Sequence, residues 1–145
     1  IDDELKAQNE KQEQEKKIQE EKDKPPLKLE KAWVSFNSIS NPEAKVVVKN
    51  VSKNVIDAYT LGIFCFDRFG EPVNKYNYDS NRYGGLSQAT IKPNQSYGYD
   101  SYWTLHGHEN TAKIKVVLEK VHFTNGDTWE PKTGQEVSIE GVSKN

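Results

Sequence analysis

The distribution of hydrophobic and polar positions divides the chain at the Pro25-Pro26 pair. Residues 1–24 are strong helix formers without glycine or proline, but their few apolar residues follow no helical stripe. After the prolines, short β-branched and aromatic runs alternate with polar positions and end at turn residues. The pattern predicts a charged, partly helical arm over residues 1–26 and a β-domain over residues 27–145.

Seven to eight short strands are predicted in the β-domain, because the period of two recurs between turn residues. The stretches "LSQATIK" and "QSYGYDSYW" are two of them, joined at a turn on Pro93 and Asn94. Asn125-Gly126, between two apolar runs, predicts a two-residue hairpin. No helical pattern follows Pro26, so we predict an all-β sandwich, with a closed barrel as the alternative.

The run "TAKIKVVLEKVHF" contains a change of phase. Its apolar residues lie at even positions up to Leu118 and at odd positions from Val121 onward. One extra residue in the strand accounts for such a shift, because it turns the following side chains to the other face. We therefore predict a β-bulge near Glu119 and Lys120.

Composition and charge narrow the functional classes. The formal net charge of −2 is nearly balanced, so we expect no nucleic-acid partner. The negative balance lies in residues 1–24, which hold nine acids and six bases, whereas all fifteen aromatic residues follow residue 24. No apolar run approaches the ~20 residues of a membrane helix. The sequence contains no methionine, so we expect the chain to have been trimmed at its N-terminus.

The only cysteine, Cys65, lies between two phenylalanines and is followed by Asp67. A thiol enzyme would need one of the three histidines beside it. Cys65 instead shares the parity of an aliphatic strand face, which favours a buried, inert thiol. Asp67 and Gly70 are typical of a turn, in which the carboxylate accepts from backbone amides. We predict that the protein is not an enzyme, with a thiol enzyme using Cys65 as the less favoured alternative.

Two motifs resemble parts of metal sites but are incomplete. "HGHE" places His106 and His108 at i, i+2, without a third ligand at a set spacing. "DSNRYGG" begins like a calcium loop at Asp79, but Thr90 stands where a bidentate glutamate is needed. We therefore predict no metal and no cofactor, and a looser calcium site is left as an alternative.

Aromatic side chains are the strongest candidates for a binding site. They offer a large contact area at low entropic cost, and they can stack on sugar rings or grip a peptide. The alternative is that they cap the ends of the core, with their hydroxyls bonded to the backbone. The candidates are Tyr76, Tyr78 and Tyr83 in a polar connection, and Tyr97, Tyr99 and Trp103, which share one strand parity.

The stretch "VVVKNVSKNVIDAYTLGIFCFDRFGEPV" resembles the FxLYD-type domains and related uncharacterised domains of bacterial surface lipoproteins. The pattern is an "N-x-S" after one strand, an apolar-x-apolar-aromatic-Asp ending of the next strand, and a glycine turn. "KVHFTNGDTWE" is similar to the closing hairpin of such domains, "KVHFxDGTxW" in general form. The resemblance covers roughly residues 30–131. The residues that carry it are Asn50, Ser52, Ile63, Cys65 (in place of the usual leucine), Phe66, Asp67 and Gly70.

The resemblance implies an immunoglobulin-like antiparallel β-sandwich of about seven strands behind the charged arm. It further implies a non-enzymatic, extracytoplasmic module of a bacterial lipoprotein with an interaction or structural role. A lipidated cysteine upstream of Ile1 would hold it at a Gram-positive-type membrane, and the arm would be a hydrated spacer. A glycan- or peptide-binding domain that uses the tyrosines is the alternative. The expected partner is an unidentified protein or a cell-wall glycan, and the expected state is a monomer.

Overall fold

The structure, a computed structural model, describes residues 2–75 and 79–144. One helix precedes the strands in that part of the chain. The elements are α1 Asp2–Asp23, β1 Leu27–Phe36, β2 Pro42–Asn50, β3 Ile56–Phe66, β4 Arg82–Ser87, β5 Ser96–Tyr97, β6 Trp103–Thr104, β7 Lys113–Phe123, β8 Thr128–Trp129 and β9 Ser138–Val142.

The strands form two antiparallel sheets that pack on one hydrophobic core. In sheet A, β2 pairs with β1 on one side and with β5 and β6 on the other. Sheet B has the order β4-β3-β7, and both β8 and β9 pair with β7. The all-β, sandwich-like prediction is therefore confirmed. The largest fully buried side chains in the core are Tyr59, Leu27, Ile56, Leu61, Ile63, Ile91, Leu105, Ile114 and Leu118.

The structure has nine strands in the described residues, where about seven were predicted. The difference arises in part because one predicted strand, "QSYGYDSYW", is interrupted and forms β5 and β6. β5 and β6 share the partner β2, and β8 and β9 share the partner β7. Each pair thus occupies the place of a single strand in its sheet.

Gly98 causes the interruption between β5 and β6. Its φ is +120°, and a Cβ at this position would lie 2.1 Å from the carbonyl oxygen of Val46. Only glycine takes this conformation readily and allows so close an approach. β5 therefore ends at Tyr97, and the predicted common parity of Tyr97, Tyr99 and Trp103 is lost.

The predicted bulge in β7 is confirmed at Glu119. Thr60 of β3 pairs with Lys120, whereas the next residue, Leu61, pairs with Leu118. Glu119 is the extra residue between them. The bulge keeps the apolar side chains before and after it on the core side of sheet B, as the phase change requires.

The hairpin at Asn125-Gly126 is present, but the prediction of a two-residue loop is wrong. The N–H of Phe123 donates to the carbonyl of Asp127 over 2.9 Å, which leaves three residues in the loop. Gly126 has a φ of +94°. A type I turn followed by a left-handed glycine is the usual geometry of three-residue hairpin loops.

The predicted turn after β3 is confirmed, and it has the same three-residue form. The Asp67 carboxylate accepts from the N–H of Phe69 over 2.8 Å and from that of Glu71 over 3.0 Å. Gly70 follows with a φ of +82°. The side chain of Asp67 is thus engaged in building the turn.

The "N-x-S" motif also builds a turn. Asn50 is fully buried, and its amide donates to the carbonyls of Asn54 (2.8 Å) and Ile91 (2.9 Å). Its side-chain oxygen accepts from the N–H (2.9 Å) and the hydroxyl (2.7 Å) of Ser52. The motif therefore has a structural role in the connection between β2 and β3.

The C-terminal end of α1 is bonded to sheet B. The carbonyl of Asp23 accepts from the indole N–H of Trp129 over 3.2 Å and from the amide of Gln135 over 3.1 Å. Its carboxylate lies 3.3 Å from the ammonium of Lys132. α1 has no buried residue along its length, so this junction holds the helix to the domain. No helix in the described ranges has the length and apolar character needed to span a bilayer.

The two long edges of the sandwich differ. At one edge β9 lies against β1, with the N–H of Lys144 donating to the carbonyl of Val34 over 3.2 Å. Gly141 permits this close approach, since a Cβ there would lie 2.3 Å from the carbonyl oxygen of Ala32. At the other edge β4 of sheet B faces β5 and β6 of sheet A without strand pairing, and a groove lies between them.

Candidate functional site

The groove at the open edge has a volume of about 400 Å³. One wall is the end of β4 and the residues after it, and the other wall runs from β5 to β6. Aromatic rings, hydroxyl groups and an amide group line the groove together. The lining residues are Leu86, Ser87, Gln88, Ala89, Tyr97, Ser101, Tyr102 and Trp103.

The indole of Trp103 closes the gap between the two sheets. Its N–H donates to the carbonyl of Leu86 across the groove over 3.3 Å. The ring lies against Gly85, where a Cβ would stand 3.1 Å from the Trp103 Cε2 atom. A glycine at this position of β4 therefore makes room for the indole, which fixes the orientation of one groove wall.

A buried hydroxyl lies beside the groove. Tyr59 of β3 is directly opposite Ser87 in the strand pairing, so both side chains point to the same side of sheet B. The phenol oxygen of Tyr59 makes no hydrogen bond of ordinary geometry within the described ranges, although the side chain of Ser87 lies close enough to act on its pKa as a hydrogen-bond partner. Burial raises the pKa of Tyr59 to about 12, and the nearby side chains of Ser87 and Tyr97 have smaller effects on this pKa. A buried hydroxyl without a partner is costly in free energy.

Of the four predicted aromatic residues that the structure describes, Tyr83, Tyr97, Tyr99 and Trp103, two meet in the groove. Tyr97 and Trp103 line it, although the extended strand that would have placed them on one face is interrupted between them. Tyr102, which the sequence interpretation did not select, lines it as well and is 54% exposed. Tyr99 does not line it. Its ring, on a residue 56% exposed, lies 5.8 Å from the ammonium of Lys31 on β1.

Tyr83 does not join this site. Tyr83 was expected in a polar connection, but it lies within β4 and pairs with Ile63. Its half-buried ring packs edge-on against His108, with 6.4 Å between ring centroids. Its partial burial there fits the alternative in which the aromatics cap the core. Tyr76 and Tyr78 lie outside the described residues.

Cys65 lies in the core and is fully buried. Burial raises the pKa of its thiol to about 11, and a weaker interaction with Thr111 acts in the opposite direction. The thiol is therefore protonated at neutral pH and out of contact with solvent. Neither property suits a cysteine nucleophile, which acts as the thiolate.

We expect the stability of the fold to decrease above about pH 9. The folded thiol holds its proton to about pH 11, whereas the unfolded thiol loses it near pH 9. Rising pH thus favours the unfolded chain, by about 2–3 kcal/mol at pH 11. Urea unfolding of the Cys65→Ala variant should show a flatter dependence between pH 9 and 10. An identical pH dependence in both proteins would show that the thiol titrates normally.

The two histidines of the "HGHE" motif lie in different environments. Gly107, with a φ of +87°, separates an exposed His106 from a buried His108. The Nδ1 atom of His108 lies 2.7 Å from the carbonyl oxygen of Val73, a structural hydrogen bond. Within residues 2–75 and 79–144, no group of three or more His, Cys, Asp or Glu side chains could hold a metal ion.

Two larger cavities lie at the opposite ends of the sandwich. One, of about 510 Å³, lies at the junction of α1 with the domain. The other, of about 660 Å³, lies between the β1–β2 and β3–β4 turns. Two exposed apolar side chains stand on these turns, Ile39 at 75% and Phe69 at 91%. The Asp67 carboxylate in this cavity is already used by its own turn.

These features define a two-sheet β-protein with an aromatic groove at one sheet edge. The chain belongs to the family described as "Family of unknown function (DUF5780)", whose model matches residues 43–136. The match contains nearly all of β2, all of β3 to β8, and both walls of the groove. No curated protein matches the chain.

Solved structures resemble the fold. A hypothetical protein from Peptoclostridium difficile 630 is similar with a TM-score of 0.57 at 13% identity, covering 79% of this chain and 95% of that chain. Northeast Structural Genomics Consortium target SoR45 has a TM-score of 0.49 at 14% identity, with coverages of 83% and 89%. At this identity, the first similarity speaks for the fold alone.

Proposed function

We propose that the protein is a non-enzymatic, extracytoplasmic binding module that takes a cell-wall glycan into the groove between β4 and β5–β6. The observation that carries this proposal is the lining of the groove, where Tyr97, Tyr102 and Trp103 stand among small polar side chains. Aromatic faces receive the apolar faces of sugar rings, and hydroxyl and amide groups bond sugar hydroxyls. The same residue types are used in adaptable binding surfaces generally.

The buried phenol of Tyr59 supports a ligand rich in hydroxyl groups. Within the described ranges it makes no hydrogen bond of ordinary geometry, and Ser87 opposite it, the side chain that acts on its pKa, lines the groove. A sugar hydroxyl that reaches the inner side of the groove would complete this hydrogen bond. The free energy of this hydrogen bond would be gained only in the complex, and it would therefore favour binding.

A peptide that adds as a strand to β4 is the second candidate, and the backbone at this edge disfavours it. Strand addition needs free N–H and C=O groups along the edge. The carbonyl of Leu86 is taken by the indole of Trp103, and the N–H of Arg82 donates to the hydroxyl of Ser80 over 3.2 Å. Two of the backbone groups along β4 are thus already engaged.

The wider setting is also a proposal. One sheet has the strand order β1-β2-β5 and the other has the order β4-β3-β7-β8, with β6 also paired to β2 and β9 also paired to β7. If β5 with β6 and β8 with β9 each count as one strand, this arrangement of seven strands supports an immunoglobulin-like sandwich. The resemblance to lipoprotein domains suggests an exported module, with a lipid anchor before Ile1 on a Gram-positive-type membrane. α1, with 22 residues, would then act as a spacer of about 33 Å. The module would act as a monomer.

The exposed tyrosines near the groove provide a matched test. Tyr102→Ala should weaken binding to uncharged bacterial wall oligosaccharides about tenfold, because an aromatic wall of the groove is lost. Tyr99→Ala, with nearly the same exposure but outside the groove, should leave the affinity within about twofold. Calorimetric titration of both variants and the parent measures the difference.

Equal losses in the two variants would contradict the groove as the site. Binding of unstructured peptides, with no measurable affinity for any oligosaccharide, would favour strand addition at β4 over glycan recognition. Both variants should keep the parent melting temperature, since both side chains are more than half exposed.

A further inference from the structure

A second surface lies on the outward face of sheet A, away from the groove. On β2, Ala44, Val46 and Val48 point into the core, so the residues between them point outward. The corresponding outward positions of β1 are found through the strand pairing. Four outward side chains, which we call the lysine face, are Lys28 and Lys31 of β1 and Lys45 and Lys49 of β2.

None of these lysines forms an ion pair within residues 2–75 and 79–144. The acids nearest in the pairing are Glu43, opposite Ser35, and Glu30 at a bulge, which accepts from the Ser96 hydroxyl over 2.7 Å. Unlike a surface neutralised by its own neighbours, the lysine face leaves its positive charge available to a partner.

Sheet B has the opposite arrangement. Its outward lysines on β7 each have a glutamate within 4 Å. The pairs are Lys113–Glu140 at 3.7 Å, Lys115–Glu136 at 3.1 Å and Lys120–Glu130 at 3.6 Å. The two faces of the sandwich thus carry lysines in similar numbers, but only one face matches them with acids.

Two lysines of the face repel each other. Lys28 and Lys49 are directly opposite in the β1–β2 pairing. Like charges in this position destabilise a sheet. A local arrangement that costs stability is typical of a surface used for binding.

Two ammonium groups on this face, one of them outside the four lysines that define it, lie against aromatic rings. The ammonium of Lys31 lies 5.8 Å from the ring centroid of Tyr99, and that of Lys144 lies 4.9 Å from the ring centroid of Trp33. Trp33 pairs with Lys45 and therefore belongs to the same face. Cation–π contacts restrict long flexible side chains, so less entropy is lost when the charges bind a partner.

We propose that the lysine face binds a linear anionic glycan. A nucleic acid is disfavoured because the whole chain carries a net charge of −2 and would repel a long duplex. A membrane surface is disfavoured because Val47, the outward aliphatic residue among these lysines, has no exposed area to insert. A single glycan chain needs only a short row of cations along two strands, and the face supplies this.

The test compares two triple variants with the same change in charge. Lys28→Gln, Lys45→Gln and Lys49→Gln neutralise the lysine face, whereas Lys113→Gln, Lys115→Gln and Lys120→Gln neutralise the paired lysines of sheet B. The probes are polygalacturonate, uncharged dextran and phosphatidylglycerol vesicles.

The parent should bind polygalacturonate more tightly than dextran, and added salt should weaken this binding. The lysine-face variant should lose about tenfold in affinity for polygalacturonate, while the sheet B variant stays within about twofold of the parent. Equal losses in both triple variants would mean attraction by net charge alone and would overturn the proposal. Binding to the vesicles without binding to polygalacturonate would overturn it in favour of a lipid surface.

Discussion

Replacing Gly98 by alanine is expected to destabilise the fold by about 3–5 kcal/mol. Two independent effects combine at this position. The φ of +120° lies in a region that side chains with a Cβ rarely adopt, and the new Cβ would stand 2.1 Å from the carbonyl oxygen of Val46. The contact is with backbone of β2, which cannot move aside without breaking its pairing with β5. The wall of the groove would be displaced with it.

Urea unfolding of Gly98→Ala against Gly126→Ala measures this effect. Gly126 has a comparable φ of +94°, but no atom lies within 4 Å of the position that a Cβ would occupy, so it isolates the conformational cost. That cost should be about 1–2 kcal/mol. If the two variants are equally stable, the close approach of Gly98 to β2 is not a real constraint on the fold.

Gly141→Ala should have the next largest effect, a loss of about 2–4 kcal/mol in the free energy of unfolding. Its φ is ordinary for an L-residue, so the loss comes from packing alone. A Cβ would lie 2.3 Å from the carbonyl oxygen of Ala32 and 2.8 Å from the nitrogen of Trp33. β9 would have to move away from β1, which opens the closed edge of the sandwich.

Gly62→Ala is the matched control, because Gly62 is also a strand glycine of sheet B. Its Cβ would meet only the ends of two long side chains, Glu119 and Arg82, which form an ion pair over it and can move. We expect a cost of about 1 kcal/mol or less for this change. Chemical denaturation that ranks Gly62→Ala below Gly141→Ala in stability would contradict the packing of β9 on β1.

The sequence is sufficient to predict features that depend on local pattern. The bulge at Glu119 follows from a phase change, because the core face of a strand must stay apolar on both sides of the bulge. The turn at Asp67 and Gly70 follows from side chains that bond their own backbone. These features need no knowledge of distant parts of the chain.

Features that depend on contacts between strands could not be predicted. Gly98 interrupts its strand because of the carbonyl of Val46, a residue 52 positions earlier in the chain. The parity of alternate residues is valid only while a strand stays extended, so the grouping of Tyr99 with Tyr97 failed. Gly98, between Tyr97 and Tyr99, is the local signal that the strand is interrupted. Taken as a break, it would have shown that the parity of Tyr97 does not extend beyond it, and Tyr102 could then have been considered as well.

The lysine face is another feature that could be predicted only in part, because it depends on contacts between strands. "KVVVKN" reveals that Lys45 and Lys49 lie on one face of a strand, since they are four residues apart. That Lys28 stands opposite Lys49, and that the lysines of β7 are neutralised by glutamates while these are not, depends on register and packing. Charge counts along the sequence cannot reveal such a difference.

The most direct test of the groove as the binding site is a chemical-shift map of the ¹⁵N-labelled protein titrated with uncharged wall oligosaccharides. The account predicts that the largest shifts fall on residues 86–89, on Tyr97 and on residues 101–103, on both sides of the groove, with the indole N–H of Trp103 among them. Shifts confined to the turns that carry Ile39 and Phe69, at the end of the sandwich away from α1, would contradict it.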